Sequence, residues 1–520
     1  MHRLVIALVT LIGLTAVAFV AAYLFLFYGS SDRAATLAPA HSAFYVNVYL
    51  QPSTGQQMNL GGLIGRLPGF ADEASLDEKV DQVVQNLLSS SGIDYRTQVK
   101  PWLGRQVALA GWPGSDDPSQ IEAVVIAEVR DREAAEAAVA DLVADGGGSF
   151  SSETYGGVAL EVSESSAYGF VGDMLVIGTD ADGLHAVVDT SGEAASLADR
   201  ADFRATMETL APDHLASVFV DLGAISEAAG VEAQFEGFST ASAVLVAERD
   251  GIRLSGSAPF DMAEAAPSAR DGFALGGEPS SLVEWMPEGT LAEVVVFGLR
   301  QTLEDAEAAI TTTPEGEEIG STLDTFRAIA AFGLGIDIDA DVLPLLDREV
   351  ALAITGLEGD LPTGQLLLRP DDPEAAGAAL DRIAERLSAV GATSDIEDVD
   401  GIEITTLIVP DIGEVSYSIT DDIVILGLGS DDVVEAIEAH ASGASLGSSD
   451  AYERTFEVAG TRAGTEAYVE IGALFELLGG AAELPADARD ILMQVGSFGL
   501  TVPSRDDQIE FHVVLTVDGR

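Results

Sequence analysis

Short apolar runs, alternating or continuous and separated by glycine- and aspartate-rich turns, dominate the chain and predict a mostly antiparallel sheet with packed helices. Ala43–Leu50 is β-rich and reads as the first strand. Asp77–Leu88 carries Val80, Val83, Val84, Leu87 and Leu88 at the spacing of an amphipathic helix. Gln106–Ala110 and Ile121–Val129 read as buried strands, and Asp131 then caps a helix with an apolar stripe over Ala134, Ala135, Ala138, Val139 and Leu142. Phe150–Thr154, Val158–Val162, Ala167–Val171 and Met174–Gly178 are strands joined by gaps too short for a crossover, hence a meander. Helices around Asp182–Asp189 and Phe203–Leu210, the strand Ser217–Asp221, a short helix Gly223–Ala229 and the strands Ser242–Ala247 and Ile252–Ser257 follow.

The order then restarts. Gly92–Ala110, GIDYRTQVKPWLGRQVALA, returns without a gap as Gly335–Ala353, GIDIDADVLPLLDREVALA, with 11 of 19 positions identical. A spacing of 243 residues is far beyond a solenoid period and indicates a duplicated domain. Glu293–Leu299 echoes the first strand, and Asp372-Pro373-Glu374 caps a helix where Asp131 does, now with proline at its first position. Ala467–Gly472 echoes Val218–Gly223, and Phe498–Val502 and Ile509–Val517 close the second copy. Met262–Ser281, rich in Ala, Pro, Ser and Gly, reads as a linker.

At the N-terminus, Leu4–Tyr28 is 25 residues without a charge, long enough to span a hydrocarbon core of roughly 30 Å as a tilted helix. Its apolar run exceeds the h-region of a signal peptide, which favours an uncleaved anchor. Arg3 before the span and a strongly acidic mass after it place the bulk of the chain outside the cytoplasm. The expected fold class is therefore α+β: an N-terminal transmembrane helix (1–30), then two tandem homologous domains, 31–261 and 282–520, joined by 262–281. The expected location is a single-pass place in the cell membrane.

Charge narrows the partners. The net charge is −61, with Lys79 and Lys100 as the only lysines, so phosphate backbones are repelled and nucleic-acid binding is excluded. Self-repulsion of this size weakens a compact state unless salt screens it, which suits an environment rich in salt or divalent cations. An acidic bias that serves only solubility accounts for the composition equally well. The chain has no cysteine, so disulfides and thiolate chemistry are absent.

The apolar anchor, a Leu-Ala-Pro opening before the first strand, and the glycine-aspartate stretch ending in Pro101-Trp102-Leu103-Gly104 resemble the bacterial family known as domain of unknown function 3352. The resemblance covers most of residues 1–260 and, more faintly, the second copy. There Pro344-Leu345-Leu346-Asp347 lacks both the tryptophan and the glycine. It implies membrane anchorage and the domain layout, and no chemistry.

Candidate chemistry is sparse. Asp337-x-Asp339-x-Asp341 opens like a calcium loop, yet Val342 and Arg348 stand where that loop needs glycine and a bidentate glutamate. A solvated acidic turn is the better reading. Asp180-Ala181-Asp182-Gly183 and Ser430-Asp431-Asp432 fall between strand and helix, where capping explains them. Gly443-Ala444-Ser445-Leu446-Gly447 matches a nucleophile elbow in letters but follows a helix instead of a strand. His2, His41, His185, His214, His440 and His512 show no ligand spacing. Trp102 reads as a packing anchor.

No catalytic, cofactor or metal residues are assigned on this basis. The leading expectation is a non-enzymatic binding or accessory module of the cell envelope, its partner an envelope protein or an apolar ligand held against the sheets. The alternatives are an envelope hydrolase working with paired carboxylates, recognisable by a buried pair in a cleft, and a purely structural spacer.

Overall fold

The computed structural model describes residues 32–66, 81, 85, 94–114, 120–146, 149–163, 166–229, 237–261, 263, 275–310, 323, 325, 327–358, 361–410, 413–420, 422–477, 494–505 and 508–518. In the first half the strands are β1 (Phe44–Tyr49), β2 (Leu103–Pro113), β3 (Ile121–Val129), β4 (Ser151–Tyr155), β5 (Val158–Val162), β6 (Ala167–Val171), β7 (Met174–Gly178), β8 (Ala216–Asp221), β9 (Thr240–Ala247) and β10 (Gly251–Pro259). In the second half they are β11 (Ala292–Phe297), β12 (Glu349–Glu358), β13 (Leu361–Arg369), β14 (Thr393–Val399), β15 (Ile402–Val409), β16 (Gly413–Ile419), β17 (Val424–Gly427), β18 (Thr465–Glu470), β19 (Val495–Val502), β20 (Ser504–Arg505) and β21 (Gln508–Val517). The helices are α1 (Thr54–Ile64), α2 (Arg132–Gly146), α3 (Ala181–Gly192), α4 (Ala201–Glu208), α5 (Leu222–Ala229), α6 (Leu299–Ile310), α7 (Pro373–Ala389), α8 (Ser430–Ser442), α9 (Asp450–Ala459) and α10 (Ile471–Leu477).

Two findings correct the expected fold class. The described strands belong to a single antiparallel sheet of 21 strands, not to two separate sheets following an N-terminal helix. Among the described residues no helix is long and apolar enough to cross a membrane, where a transmembrane helix and signal anchor were expected. The proposed span Leu4–Tyr28, the helix Asp77–Leu88 apart from residues 81 and 85, and most of the linker 262–281 lie outside the described residues. The physical reason is plain: alternation marks strands, but carries no information on how many sheets they join. By compactness the chain divides into Met1–Glu264 and Ala265–Arg520, each described here by itself.

In the first unit the strand order is β10-β9-β8-β1-β2-β3-β7-β6-β5-β4, with every neighbouring pair antiparallel. The inner face presents Tyr45, Ala108, Ala110, Val124, Ile126, Val176 and Phe219. This core is closed by Leu184, Val187 and Val188 of α3 and Phe203 of α4. In the second unit the order is β21-β19-β18-β11-β12-β13-β17-β16-β15-β14, the same path. Its inner face presents Val295, Ala351, Ala353, Leu367, Ile425 and Tyr468. Here Val433, Ala436 and Ile437 of α8 and Tyr452 and Phe456 of α9 close the core. On the other face, Ala376 and Leu380 of α7 pack with Val350, Leu368 and Val424 in a smaller cluster.

Local chemistry explains the matching ends. Asp94 caps the π-helical turn Tyr95–Val99 by accepting from Thr97 N at 2.9 Å, and Asp337 caps Ile338–Val342 by accepting from Asp339 N and Ala340 N at 3.1 and 3.2 Å. An isolated bridge joins Pro39 to Ser196 in one unit and Pro287 to Ser445 in the other.

Gly364 lies beside the irregularity in the β12/β13 register, at φ +149°, where an added Cβ would meet Ala353 O at 1.9 Å. Gly364→Ala is therefore expected to destabilise the protein by more than about 2 kcal/mol in denaturant titration. Gly62→Ala, in α1 with open space around it, is expected to stabilise it by roughly 0.5–1 kcal/mol.

Candidate functional site

The acidic turn of the second unit is occupied by arginine. Asp341 is buried, and it pairs with Arg382 Nη2 at 3.1 Å and Arg386 Nη1 at 2.7 Å while accepting from Asp337 N at 3.0 Å. Burial alone would raise this carboxyl. The Asp337 N–H and the two guanidiniums outweigh that and hold it below the ordinary carboxylate range. Asp339, exposed, pairs with Arg327 at 3.2 Å. The oxygens that a cation would need are therefore directed at the caps and guanidiniums.

The remaining motif residues are brought into local structure and not into one site. Asp180 caps α3, accepting from Gly183 N at 2.9 Å. Asp432 accepts from Leu428 N at 3.0 Å at the start of α8. Ser445 opens the 3₁₀ turn Leu446–Ser448 as its cap. Its neighbour in sequence, His440, stacks on Trp285 with ring centroids 3.8 Å apart. His41 packs edge-on against Trp112, and His214 Nδ1 donates to Ala211 O at 2.7 Å. His185 stacks on Tyr155 and meets Glu153 Oε1 at 3.0 Å, and His512 lies 3.8 Å from Glu510. His2 lies outside the described residues. Trp102 is buried, its Nε1 donating to Gln98 O at 2.6 Å, and Leu345 fills the matching place in the second unit. No group of three or more histidine, aspartate or glutamate side chains among the described residues could hold a metal ion.

Two arrangements were not foreseen. The first is a set of carboxyls inside the second unit. Glu293 on β11, Glu349 at the start of β12 and Glu466 on β18 are 1%, 3% and 0% exposed. The register puts all three on the inner face with Val295, because Val295 faces Glu466 and Ala351 while Phe297 faces Glu349. Glu466 accepts from Arg462 Nε at 3.1 Å and from Tyr452 Oη at 3.1 Å. Arg462 is itself anchored on Ser280 O. Glu349 accepts from Arg369 at 2.7 Å, and Arg369 also pairs with the exposed Asp422 at 3.4 Å. Neither oxygen of Glu293 has a hydrogen-bond partner among the described residues. Burial, then the Glu466 charge, push the Glu293 carboxyl far above its usual range against the pull of Arg462. Burial also raises Glu466, with Arg462 and Tyr452 opposing.

The second arrangement is a row on the outer face. Successive pairings align Val513, Leu500, Ala467, Val294, Leu352, Leu366 and Leu426 across seven strands of the second unit. Leu366 and Leu426 pack with the α7 cluster, Val513, Leu500 and Ala467 are half-buried, and Val294 and Leu352 are exposed at 44% and 48%. The first unit holds the matching row, Gly256, Ala243, Val218, Val46, Leu109, Val125 and Ile177, with Ile177 exposed. No position in either row is charged.

Against known proteins, a family model described as "Protein of unknown function (DUF3352)" matches residues 4–516. The chain belongs to that family. No curated protein matches this DUF3352 chain. Crystal form I of TP0453 is similar over 46% of this chain and 83% of that one, at 12% identity and a TM-score of 0.25. Crystal form III gives the same identity and coverage with a TM-score of 0.22, and crystal form IV gives 11%, 44%, 81% and 0.22. Scores of this size do not establish a shared fold.

The Asp341 geometry makes a prediction with a defined sign. Its folded-state carboxyl sits below the ordinary 3.8, so its stabilisation is present above that pH and is lost as pH falls through the lowered value. Asp341→Asn is expected to cost roughly 1–3 kcal/mol near pH 7, the half-exposed arginines limiting the loss. The gap to wild type should close in acid, read by denaturant titration at each pH.

Proposed function

We propose that this protein is a non-enzymatic binding module that holds an uncharged apolar molecule against the outer face of its sheet. The observation that carries this reading is the aligned row of aliphatic side chains, open at Val294 and Leu352. The part of the row that α7 does not cover, from Val513 to Leu352, makes four steps between strands at about 4.8 Å, a strip roughly 19 Å long. A continuous apolar strip on an otherwise highly charged chain favours a ligand over plain solvent. The charge of −61 disfavours an anionic head group and favours a neutral or cationic one. A working place outside the cytoplasm belongs to the same proposal and rests on the sequence alone: a cysteine-free, acidic chain is compatible with an oxidising, salty exterior.

The paired carboxylates expected of a hydrolase exist as Glu293 and Glu466, but not in a cleft. Acid–base work on a substrate requires both groups to reach it, and these are 1% and 0% exposed. The pair therefore supplies no reason to prefer an enzyme.

The test is titration of the intact protein with a fluorescent long-chain alcohol, in wild type and in Leu352→Glu and Val294→Asp. Wild type should bind saturably, and each charged variant should lose at least about tenfold in affinity, since a carboxylate in an apolar contact costs more than about 1.4 kcal/mol. The corresponding fatty acid anion should bind more weakly at low salt and recover as salt is added. Unchanged binding in both variants, or capture of a protein and no lipid-like probe, would replace this reading by a different one.

A further inference from the structure

The second unit contains a proton site that no part of the binding reading uses. On its inner face three carboxyls, Glu293, Glu349 and Glu466, face two guanidiniums, Arg369 and Arg462. Each guanidinium is already engaged: Arg369 with Glu349 and the exposed Asp422, and Arg462 with Glu466. One acid is left over. Among the described residues Glu293 is the one of the three without a hydrogen-bond partner on either oxygen, and it is 1% exposed. An ionised carboxylate in that position would lack both solvent and donor, which costs far more than keeping a proton on it. The groups that face it are Glu466 and Tyr468 on β18, Arg462 in the segment before β18 and Tyr452 on α9, with Glu349 on β12 reaching it through Glu466. Only Arg462 among them is cationic. The two tyrosine hydroxyls are driven upward by burial first and then by the acids, so both stay neutral.

The first unit shows that the arrangement is not required by the fold. Where the second unit has Glu293, Glu466 and Tyr452, the corresponding places on β1, β8 and α4 hold Tyr45, Ser217 and Phe203. Tyr45 there packs edge-on against Phe203, 6.0 Å between centroids, and its hydroxyl donates to Asp32 Oδ1 at 2.6 Å.

We propose that Glu293 is a proton-binding site that makes the second unit responsive to pH, tightly packed with the neutral carboxylic acid and loosened around β11 when the proton leaves. The sign follows from the folded carboxyl lying above its ordinary value of 4.5. Below that value both folded and unfolded states hold the proton, and stability is complete. Above it only the folded state does, so the folding equilibrium constant falls tenfold per pH unit until the folded site releases its proton.

The experiment is hydrogen exchange of β11, β12 and β18 in the full chain from pH 4 to 9, corrected for intrinsic exchange, for wild type and Glu293→Gln. The amide keeps the shape and the neutrality and removes the titration. Protection in the two proteins should agree at or below pH 4.5, and the wild type should fall behind E293Q by up to tenfold per unit above it. A second readout is the infrared C=O stretch of a protonated carboxyl, expected in the wild type at pH 7 and lost in E293Q. Parallel protection profiles at every pH, or no protonated carboxyl band at pH 7, would overturn the proposal. If E293Q does not fold, Glu293→Met carries the same comparison: loss of the band in that variant, with Glu466 intact, supports the proposal, and its persistence overturns it.

Discussion

The register of the two central strands is the constraint on which the rest depends. β1 is hydrogen-bonded on both edges, to β2 and β8, and β11 likewise to β12 and β18. A slip of one residue would exchange every inner side chain for an outer one. In the first unit Tyr45 would leave the core beside Phe203 and Phe219, and Val46 would enter it. In the second, Glu293 would turn outward and the exposed Val294 inward. The helix-covered core, the enclosed carboxyls and the outer apolar row are thus three consequences of one alignment.

That alignment is used twice with different contents. Both units keep the aspartate-capped π-helical turn and the same strand path, features that hold the backbone in place. What changes is the chemistry placed on the path. Trp102 gives way to Leu345, and Gly104, where a Cβ would lie 2.7 Å from Glu128, gives way to Asp347, which pairs with Arg300 at 3.2 Å. On the inner face an aromatic and a hydroxyl become two acids. The two units thus share a backbone path and differ in the polarity of their inner faces.

Much of this was legible in the chain. Alternation and turn residues located β3, β5, β6 and β7 to the residue, and aspartate caps marked the starts of α2, α3 and α7. Other features were hidden for physical reasons. Strand periodicity is silent on sheet count, so separate sheets were expected where one is assigned. The acids were missed because glutamate on a strand ordinarily marks the solvent side. The available signal was phase, since Glu293 alternates with Val295 and Phe297, and Glu466 with Tyr468. The outer row was obscured because both faces are apolar, and a continuous apolar strand says only that neither face is plainly polar. It emerges once the pairings align Val294 with Leu352 and Ala467.

The most direct test of a ligand on the outer face is native mass spectrometry of the intact chain purified from its own source in high salt. A discrete added mass of one or two small apolar molecules, removed by organic extraction, is the predicted result. A bare monomer under conditions that preserve the fold would contradict it.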